Sequence, residues 1–410
     1  MQTNIADRFR SDPDVAEAES ILRTCVHCGF CLATCPTYQL LGDELDSPRG
    51  RIYLMKRMFE GDPVTDKTQL HLDRCLTCRS CETTCPSGVK YGRLVDIGRH
   101  YVERSVGRST GDRLRRTALK EVLPRSQLFN PLVKVGQALR PFLPQDLQRK
   151  LPPAGAPAAF VRARHARRMI LFDGCVQPGL EPGINAAASS VLDALGISLI
   201  RPEGAGCCGA LAHHLSDHDA SMGQARTMID AWWPSIEAGA EAIVITASGC
   251  GAMFKDYGFL LRNDRAYAEK AARACALVRD VSEIVAAESG KLAGLIANRP
   301  RLEKARVAFQ SPCTLQHGMK IRGVVEQILL GAGFDLTMVA NGHLCCGSAG
   351  TYSILQPVLS KRLLANKVGA LEADRPDVIA TANIGCLLHV RSGTRIPVRH
   401  WIELVAERLG

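Results

Sequence analysis

Two runs of cysteines near the amino end of the chain share one unusual spacing. The runs are CVHCGFCLATCP at 25–36 and CLTCRSCETTCP at 75–86, and both follow the pattern C-x2-C-x2-C-x3-C-P. Three thiols at successive x2 spacing surround one face of an iron–sulfur cubane, and the fourth, redirected by its proline, reaches a neighbouring cluster. Structural zinc is the alternative, but zinc favours paired C-x2-C units around a tetrahedral ion. The spacing therefore predicts two [4Fe–4S] clusters.

The same pattern assigns a ligand set to each cluster. Because the fourth cysteine of one run serves the cluster of the other run, the two sets cross between the motifs and hold the clusters close together, as electron transfer requires. The first cluster is predicted to be held by Cys25, Cys28, Cys31 and Cys85, and the second by Cys75, Cys78, Cys81 and Cys35.

A second group of eight cysteines forms an internal repeat. Adjacent cysteines such as 207 and 208 rarely form a disulfide with each other, because the geometry is strained. Four thiols in each copy suit a third cluster or a redox-active thiol site, with buried apolar cysteine as the structural alternative. A glycine after each pair, Gly209 or Gly347, lets the backbone approach a sulfide closely. The copies are Cys175, Cys207, Cys208 and Cys250, repeated as Cys313, Cys345, Cys346 and Cys386.

The stretch GAGCCGA at 204–210 also matches the dinucleotide fingerprint G-x-G-x-x-G. The second copy reads NGHLCCGSAG at the same place, so only CCG is common to both copies. The match is therefore interpreted as accidental. The histidines near the repeat cysteines (His213, His214, His317 and His389) could relay a proton, but a structural role is the commoner outcome for such residues.

The elements around the repeat cysteines follow one order in both copies. Short apolar runs at 169–172, 197–200 and 242–246 alternate with helical segments, as do those at 307–309, 334–339 and 378–382. Strand, helix, strand, helix, strand predicts a parallel sheet with crossovers. Ligands bind beyond the carboxyl ends of such strands, so we expect the four cysteines of each copy to converge.

The chain as a whole is predicted to be α+β with four parts. Residues 1–105 form an α-helical ferredoxin-like domain, 106–168 a helical, Pro/Ala-rich basic linker, 169–300 the first repeat and 301–410 the second. A helix is expected over DSPRGRIYLMKRMFEG, with Asp46 or Ser47 as its cap and Pro48 in its first turn. Its basic residues Arg49, Arg51 and Lys56 either raise a cluster potential or are solvated.

Composition limits the setting of the protein. Seventeen cysteines without an apolar amino-terminal segment or a membrane-spanning run indicate a cytoplasmic protein with metal or redox chemistry. The net charge is +10, and the run at 147–172 carries six basic residues and no acid. This run is either a solvated linker or a surface for acidic lipids or an acidic partner, and no feature favours nucleic acid. The six are Arg149, Lys150, Arg162, Arg164, Arg167 and Arg168.

Two ferredoxin-like motifs followed by two CCG repeats resemble the iron–sulfur subunits of flavin-dependent 2-hydroxyacid and glycerol-3-phosphate dehydrogenases, and the CCG subunit of heterodisulfide reductase. The resemblance is closest to the glycolate oxidase (glycolate dehydrogenase) iron–sulfur subunit family. It is carried by CVHCGFCLATCPTYQLLGDELDSPRGRIYL, HLDRCLTCRSCETTCPSG, IDAWWPSIEAGAEAI, TASGCGA, CTLQH, HLCCGSAGTY and TANIGC.

This resemblance implies a heteromeric complex. A partner FAD subunit would oxidise glycolate to glyoxylate, and this chain, without FAD of its own, would pass electrons to quinone at the inner face of the membrane as a peripheral subunit. Subunits of lactate or glycerol-3-phosphate dehydrogenases, and a thiol–disulfide reductase using the CCG cysteines, are the alternatives. In the heterodisulfide reductase pattern each repeat has a fifth thiol, but Met253 and His389 stand there in this chain. No catalytic base, nucleophile or flavin motif is recognisable.

Overall fold

The computed structural model describes residues 1–144, 148–149, 151–153, 159–161, 164–300 and 303–410. Two basic residues of the run at 147–172, Lys150 and Arg162, lie outside the described residues, as does part of the predicted linker.

The amino-terminal region is helical and has a hydrophobic core of its own. Ser47 caps the third helix, since its hydroxyl accepts a hydrogen bond from the Gly50 N–H at 2.9 Å, and Pro48 follows at the first helical position. That predicted helix is confirmed. The core joins Leu22, Phe59 and Leu94 from three helices. The helices are α1 Pro13–Thr24, α2 Pro36–Leu41, α3 Pro48–Phe59, α4 Asp66–Asp73, α5 Ser80–Thr84 and α6 Tyr91–Ser105, with 3-10 turns at Asp7–Phe9 and Glu44–Asp46.

Two amphipathic helices lead from this region to the repeats. They are α7 Thr110–Val122 and α8 Ser126–Ala138, followed by a 3-10 turn at Arg140–Phe142. Ion pairs fix α7, because Arg116 contacts Asp73 at 3.3 Å and Lys120 contacts Asp217 at 2.7 Å.

The first repeat is built on a parallel sheet in the order β2-β1-β3-β4. Its last strand was not predicted, because three residues are too short to show a period of two. Its elements are β1 Arg167–Leu171, α9 Gln177–Leu180, α10 Gly183–Ala194, β2 Ile197–Ile200, α11 Ala210–His214, α12 His218–Glu237, β3 Ile243–Ile245, α13 Ser248–Lys255, α14 Tyr257–Leu260, α15 Ala268–Leu277, β4 Val278–Asp280, α16 Val281–Ala287 and α17 Ser289–Ala297.

The second repeat has the same strand order, β6-β5-β7-β8, and all its pairs are parallel. The predicted fold class, helical ferredoxin-like region followed by duplicated parallel α/β units, is therefore confirmed. The second strand is shorter than the predicted 334–339. The elements are β5 Arg306–Gln310, a π-helix Thr314–Gly318, α18 Val324–Gly331, β6 Asp335–Leu336, α19 Tyr352–Leu355, α20 Pro357–Glu372, β7 Val378–Thr381, α21 Ile384–Arg391, β8 Val398–His400 and α22 Trp401–Leu409.

The two repeats share one hydrophobic core. Buried residues of α10, such as Val191, belong to the same cluster as Trp401 of α22. The carboxyl ends of the two sheets also meet, since the Ser248 and Thr314 hydroxyls lie 2.8 Å apart. The strand ends that carry the repeat cysteines therefore lie toward the middle of the molecule.

Candidate functional site: thiol-lined cavities

The two ferredoxin-like motifs adopt the same backbone conformation. His27 and Gly29 in the first motif, and Thr77 and Arg79 in the second, all have φ between 53° and 84°. Left-handed residues in such loops turn successive N–H groups inward and form a concave surface for an anion. In the second motif the Thr77 N–H donates to Cys75 Sγ at 3.3 Å. Both loops are shaped to surround a negatively charged cluster.

The structure brings each predicted ligand set together around its own cavity. The two cavities share Pro48 and Tyr91 as walls, so they are neighbours. A set of four thiols around a closed space matches the donor chemistry of a [4Fe–4S] cluster. Cys25, Cys28, Cys31 and Cys85 line the first cavity, and Cys35, Cys75, Cys78 and Cys81 line the second, with Cys81 also touching the first.

A basic residue of α3 lies at each cavity. Arg49 lines the first cavity and pairs with Glu44 at 2.7 Å. Arg51 lines the second and is 1% exposed, with its charge balanced by Asp46 at 3.2 Å. Lys56 instead forms an ion pair with Glu60 one turn along the helix.

The four cysteines of each repeat also lie together. In the first repeat, Cys207 touches Cys175 and Cys208, and Cys208 reaches Cys250. The second repeat follows the same order from Cys313 through Cys345 and Cys346 to Cys386, with Cys313 Sγ 3.7 Å from Cys345 Sγ. Isolated Cys275 instead hydrogen-bonds the Phe254 carbonyl at 2.9 Å.

The two repeat sites differ in their surroundings. Cys78 of the ferredoxin-like domain packs against the second set, next to Cys313 and Cys345. Lys367 of α20 lies beside the same thiols, and burial lowers the pKa of its amine. On α12 of the first repeat, Met228 accepts a hydrogen bond from the Gly206 N–H at 3.0 Å. A neighbouring cation therefore accompanies only the second of these two sites within the described chain.

The glycine after each cysteine pair is required by packing. Gly209 and Gly347 have φ of +84° and +92°, a region that residues with a Cβ avoid. A Cβ on Gly347 would lie 2.7 Å from the Ser360 carbonyl oxygen, and one on Gly209 would lie 3.0 Å from that of Ser221. The glycines thus allow the cysteine loop to approach the following helix closely. The sequence alone had suggested a different reason, the close approach of the backbone to a sulfide.

The histidines near the cysteines have protein partners. Two of them join the amino-terminal domain to the first repeat, since His213 and His214 each lie 3.4 Å from buried Asp96. His389 lies 3.2 Å from the Ser360 hydroxyl. The other residue at a fifth-thiol position, Met253, is buried in the first repeat's core.

The loop of the second ferredoxin-like motif is anchored to both repeats. Arg79, between Cys78 and Cys81, forms an ion pair with Asp256. On the other side, the Thr83 hydroxyl lies 3.0 Å from His317 Nδ1 of the second repeat. These contacts, which no sequence pattern indicated, hold the thiol-lined cavities against the duplicated unit.

Comparisons with known proteins agree with this architecture. A family described as a 4Fe-4S dicluster domain matches residues 21–89, and one described as a cysteine-rich domain matches 169–255 and 307–391. The chain is 52% identical to the glycolate oxidase iron-sulfur subunit of Escherichia coli K12, with 100% of this chain and 99% of that protein covered. The chain belongs to the family of glycolate oxidase iron–sulfur subunits. It is accordingly an iron–sulfur protein and an electron-transfer subunit of an oxidoreductase.

Two further relatives show the range of the similarity. A probable glycolate oxidase iron-sulfur subunit from Bacillus subtilis 168 is 30% identical over 99% of this chain and 97% of its own length. Lactate utilization protein A of Bacillus licheniformis is 27% identical but covers 59% of this chain. Among the described residues, the structure contains no helix whose length and apolarity would let it cross a membrane.

Proposed function

We propose that this chain is the electron-transfer subunit of a glycolate dehydrogenase complex. A partner subunit carrying FAD would oxidise glycolate to glyoxylate, and the electrons would pass through this chain to a downstream acceptor, a quinone. The observation that carries the proposal is the pair of adjacent cavities, each lined by four thiols, in a chain of this family. Iron–sulfur clusters in those cavities would supply one-electron transfer.

Reconstitution tests this division of labour. The purified chain alone should not reduce a dye with glycolate, whereas the chain combined with its flavin partner should do so. Lactate and glycerol-3-phosphate serve as competing substrates in the same assay, because subunits of those dehydrogenases are the alternatives. Glycolate-dependent activity of the chain alone would refute the proposal.

We infer that the ligands cross between the motifs. Cys85 lines the cavity of the first motif, and Cys35 lines that of the second. Replacing Cys85 by Ser should therefore disturb the cluster of the first motif, and Cys35→Ser that of the second. EPR spectra of each variant, compared with Cys28→Ser and Cys78→Ser, should show these pairs losing the same signal. If Cys85→Ser removed the same EPR signal as Cys78→Ser, and Cys35→Ser the same signal as Cys28→Ser, the crossing would be contradicted.

A third centre is best placed in the second repeat. Cys78 packs against two of its four thiols, Cys313 and Cys345, and Lys367 lies beside all four to balance negative charge. In the first repeat, hydrogen bonds from Cys175 and Cys208 lower the pKa of Cys207 to about 4, a property that suits thiol–disulfide chemistry. About twelve irons per chain would support the third cluster, whereas about eight would leave both repeats to thiol chemistry.

The flavin partner is expected at the loop of Cys28. Cys28 is exposed, and its neighbours Val26 and Phe30 are 66% and 61% exposed, so an apolar rim surrounds the edge of the first cavity. Exposed apolar residues beside a redox centre are typical of a docking surface. Electrons would then enter at the first cluster, pass to the second, and arrive next to the second repeat.

Attachment to the inner face of the membrane is proposed through α8 and the turn after it. Leu128, Leu132, Val135, Leu139 and Phe142 are all exposed and follow one another at spacings of four and three residues. The segment between residues 122 and 145 contains no acidic residue. An apolar stripe flanked by basic residues is the pattern of a helix that lies in an anionic membrane surface.

A further inference from the structure

A cavity of about 510 Å³ opens between α5 of the ferredoxin-like domain and the second repeat. This volume falls within the roughly 300–1,000 Å³ of small-molecule sites. Thr83 and Thr84 form one wall, and residues of the second repeat, including Phe309 and Leu336, form the apolar part of the opposite wall. The cavity is distinct from both cluster cavities described above.

Two residues that line this cavity carry a buried hydroxyl with no hydrogen-bond partner among the described residues. They are Ser80 and Thr337, which come from opposite walls. Ser80 as a whole is 1% exposed. Buried donors without partners are costly in a folded protein, so two of them in one cavity point to a ligand that offers two acceptors.

The charged lining is arranged around a single carboxyl group. Glu326 lines the cavity and, within the described chain, makes no ion pair; burial raises the pKa of its carboxyl group. His317 is held by its neighbours, since its Nε2 donates to the His343 carbonyl at 2.9 Å and its Nδ1 accepts from Arg322 at 3.3 Å. The site thus combines hydroxyl donors with a carboxyl group that can carry a proton.

Redox centres flank the cavity on two sides. Ser80 and Thr84 are the first and last residues of α5, which contains Cys81 and ends just before Cys85, and the thiols of both cysteines line the cluster cavities. On the other side, the lining residue His343 is two residues from Cys345. A molecule in the cavity would lie next to the predicted electron path.

We propose that this cavity is the quinone-reduction site of the complex, an inference that rests on the proposed function. The two carbonyl oxygens of a quinone accept from the opposed hydroxyls of Ser80 and Thr337, and its ring packs on Phe309 and Leu336. The quinone's own side chain leaves the cavity past Met338, which is 83% exposed and lies between two lining residues.

Reduction in this site is balanced by the groups present. Two electrons, taken from the 2-hydroxyacid by the partner and delivered singly through the iron–sulfur centres, reduce the two carbonyls to hydroxyls. Two protons complete the quinol, one from the Glu326 carboxyl and one from water, and Glu326 is reprotonated from solvent. The products are one quinol and one 2-oxoacid for each hydroxyacid oxidised.

Photolabelling tests the location directly. The iron-loaded chain is illuminated with an azidoquinone bearing a short side chain, and labelled peptides are mapped. Label within residues 309–343, displaced by unlabelled quinone, is the expected result. Label confined to other parts of the chain, or displacement by glycolate instead of quinone, would overturn the proposal. This readout does not depend on electron flow, so it remains valid even if the complex does not oxidise glycolate.

Kinetics of the reconstituted complex distinguish defects at the quinone cavity from defects in electron transfer before it. Thr337→Val should raise the KM for a soluble quinone about tenfold, the effect of one lost hydrogen bond, and Glu326→Gln should lower the quinone-dependent kcat. Reduction of a dye by glycolate and the cluster EPR signals should be unchanged. Thr227→Val and Glu269→Gln, both outside the cavity, are the controls. Equal loss of dye and quinone activity would contradict the assignment, whereas absence of dye reduction in the unmodified complex would refute the proposed function itself.

Discussion

Single charged residues set the environment of each thiol-lined cavity. Arg49 lies at the first cavity and forms a partly exposed ion pair with Glu44. Arg51 lies at the second cavity and forms a fully buried ion pair with Asp46. A positive charge near a cluster stabilises the reduced, more negative state and raises its reduction potential. Clusters bound in the two cavities would therefore be tuned by residues only two positions apart in one helix.

Removing Arg49 should lower the potential of the first cluster. We expect Arg49→Gln to shift it downward by about 30–60 mV, because partial solvation weakens the interaction. Glu44→Gln removes the opposing charge and should shift the potential upward. EPR-monitored redox titration measures both shifts. Lys56→Gln is the control, and a shift there as large as that of Arg49→Gln would contradict the local electrostatic explanation.

At this scale the sequence indicated which thiols lie together, but not the residues that surround them. The spacing of the motifs named the cysteines that surround each cavity, because cluster ligation imposes a short-range pattern. Ser80, Thr337 and Glu326 gave no such signal, since residues from distant segments meet only after the domains dock. Lys367 stands beside the thiols of the second repeat, whereas uncharged Met228 stands on α12 of the first. An alignment of the two copies could have shown this difference in charge.

Helix α3 illustrates how an element positions the site. It begins at the Ser47 cap, and its first turn packs on the preceding 3-10 turn so closely that a Cβ on Gly50 would lie 2.0 Å from the Glu44 carbonyl oxygen. This contact fixes Arg49 and Arg51 relative to the cavities. The cap and proline were visible in the sequence; the close approach was not.

Gly50→Ala should separate α3 from this turn. We expect a loss of about 1–3 kcal/mol in the free energy of unfolding, because the added methyl meets backbone that cannot move freely. Chemical denaturation and iron content provide the measurements. In Gly223→Ala, on α12, the methyl meets open space, and a gain of up to about 1 kcal/mol is expected. Equal effects at both sites would rule out the steric reason.

The apolar stripe of α8 makes a prediction about membranes. Leu132→Asp combined with Val135→Asp should abolish sedimentation with vesicles containing anionic lipid, since it places negative charge on the helix face that would enter the membrane. Wild-type binding should also weaken as salt increases, because basic residues contribute. Val358→Asp, an exposed apolar residue on α20, is the control. Unchanged vesicle binding by the double variant would exclude α8 as the attachment.

In the whole molecule, one hydrophobic cluster joins the two repeats. It extends from α10 of the first repeat to α22 of the second, while the first repeat also has a core of its own around Trp232. The internal duplication was evident from cysteine spacing, but the sequence could not show that the copies bury their helices against each other. Nor could it show that the ferredoxin-like domain places Cys78 against the second copy.

The shared core predicts cooperative folding. A fragment of residues 169–300 should remain unfolded or aggregate, because the partner surface for Val191 is absent, whereas 169–410 should fold. Circular dichroism and limited proteolysis distinguish the outcomes. A folded, protease-resistant 169–300 fragment would show that the first repeat is autonomous.

The exposed loop of Cys28 has a consequence for how the protein survives in air. Oxidants reach solvent-accessible cysteine sulfur before buried sulfur, so damage by peroxide or superoxide would begin at this edge. Subunits waiting for a partner would lose iron there first, and assembly would shield the loop. Prompt association with a partner subunit would thus protect the protein as well as complete the enzyme, and excess free subunits would be short-lived under oxygen.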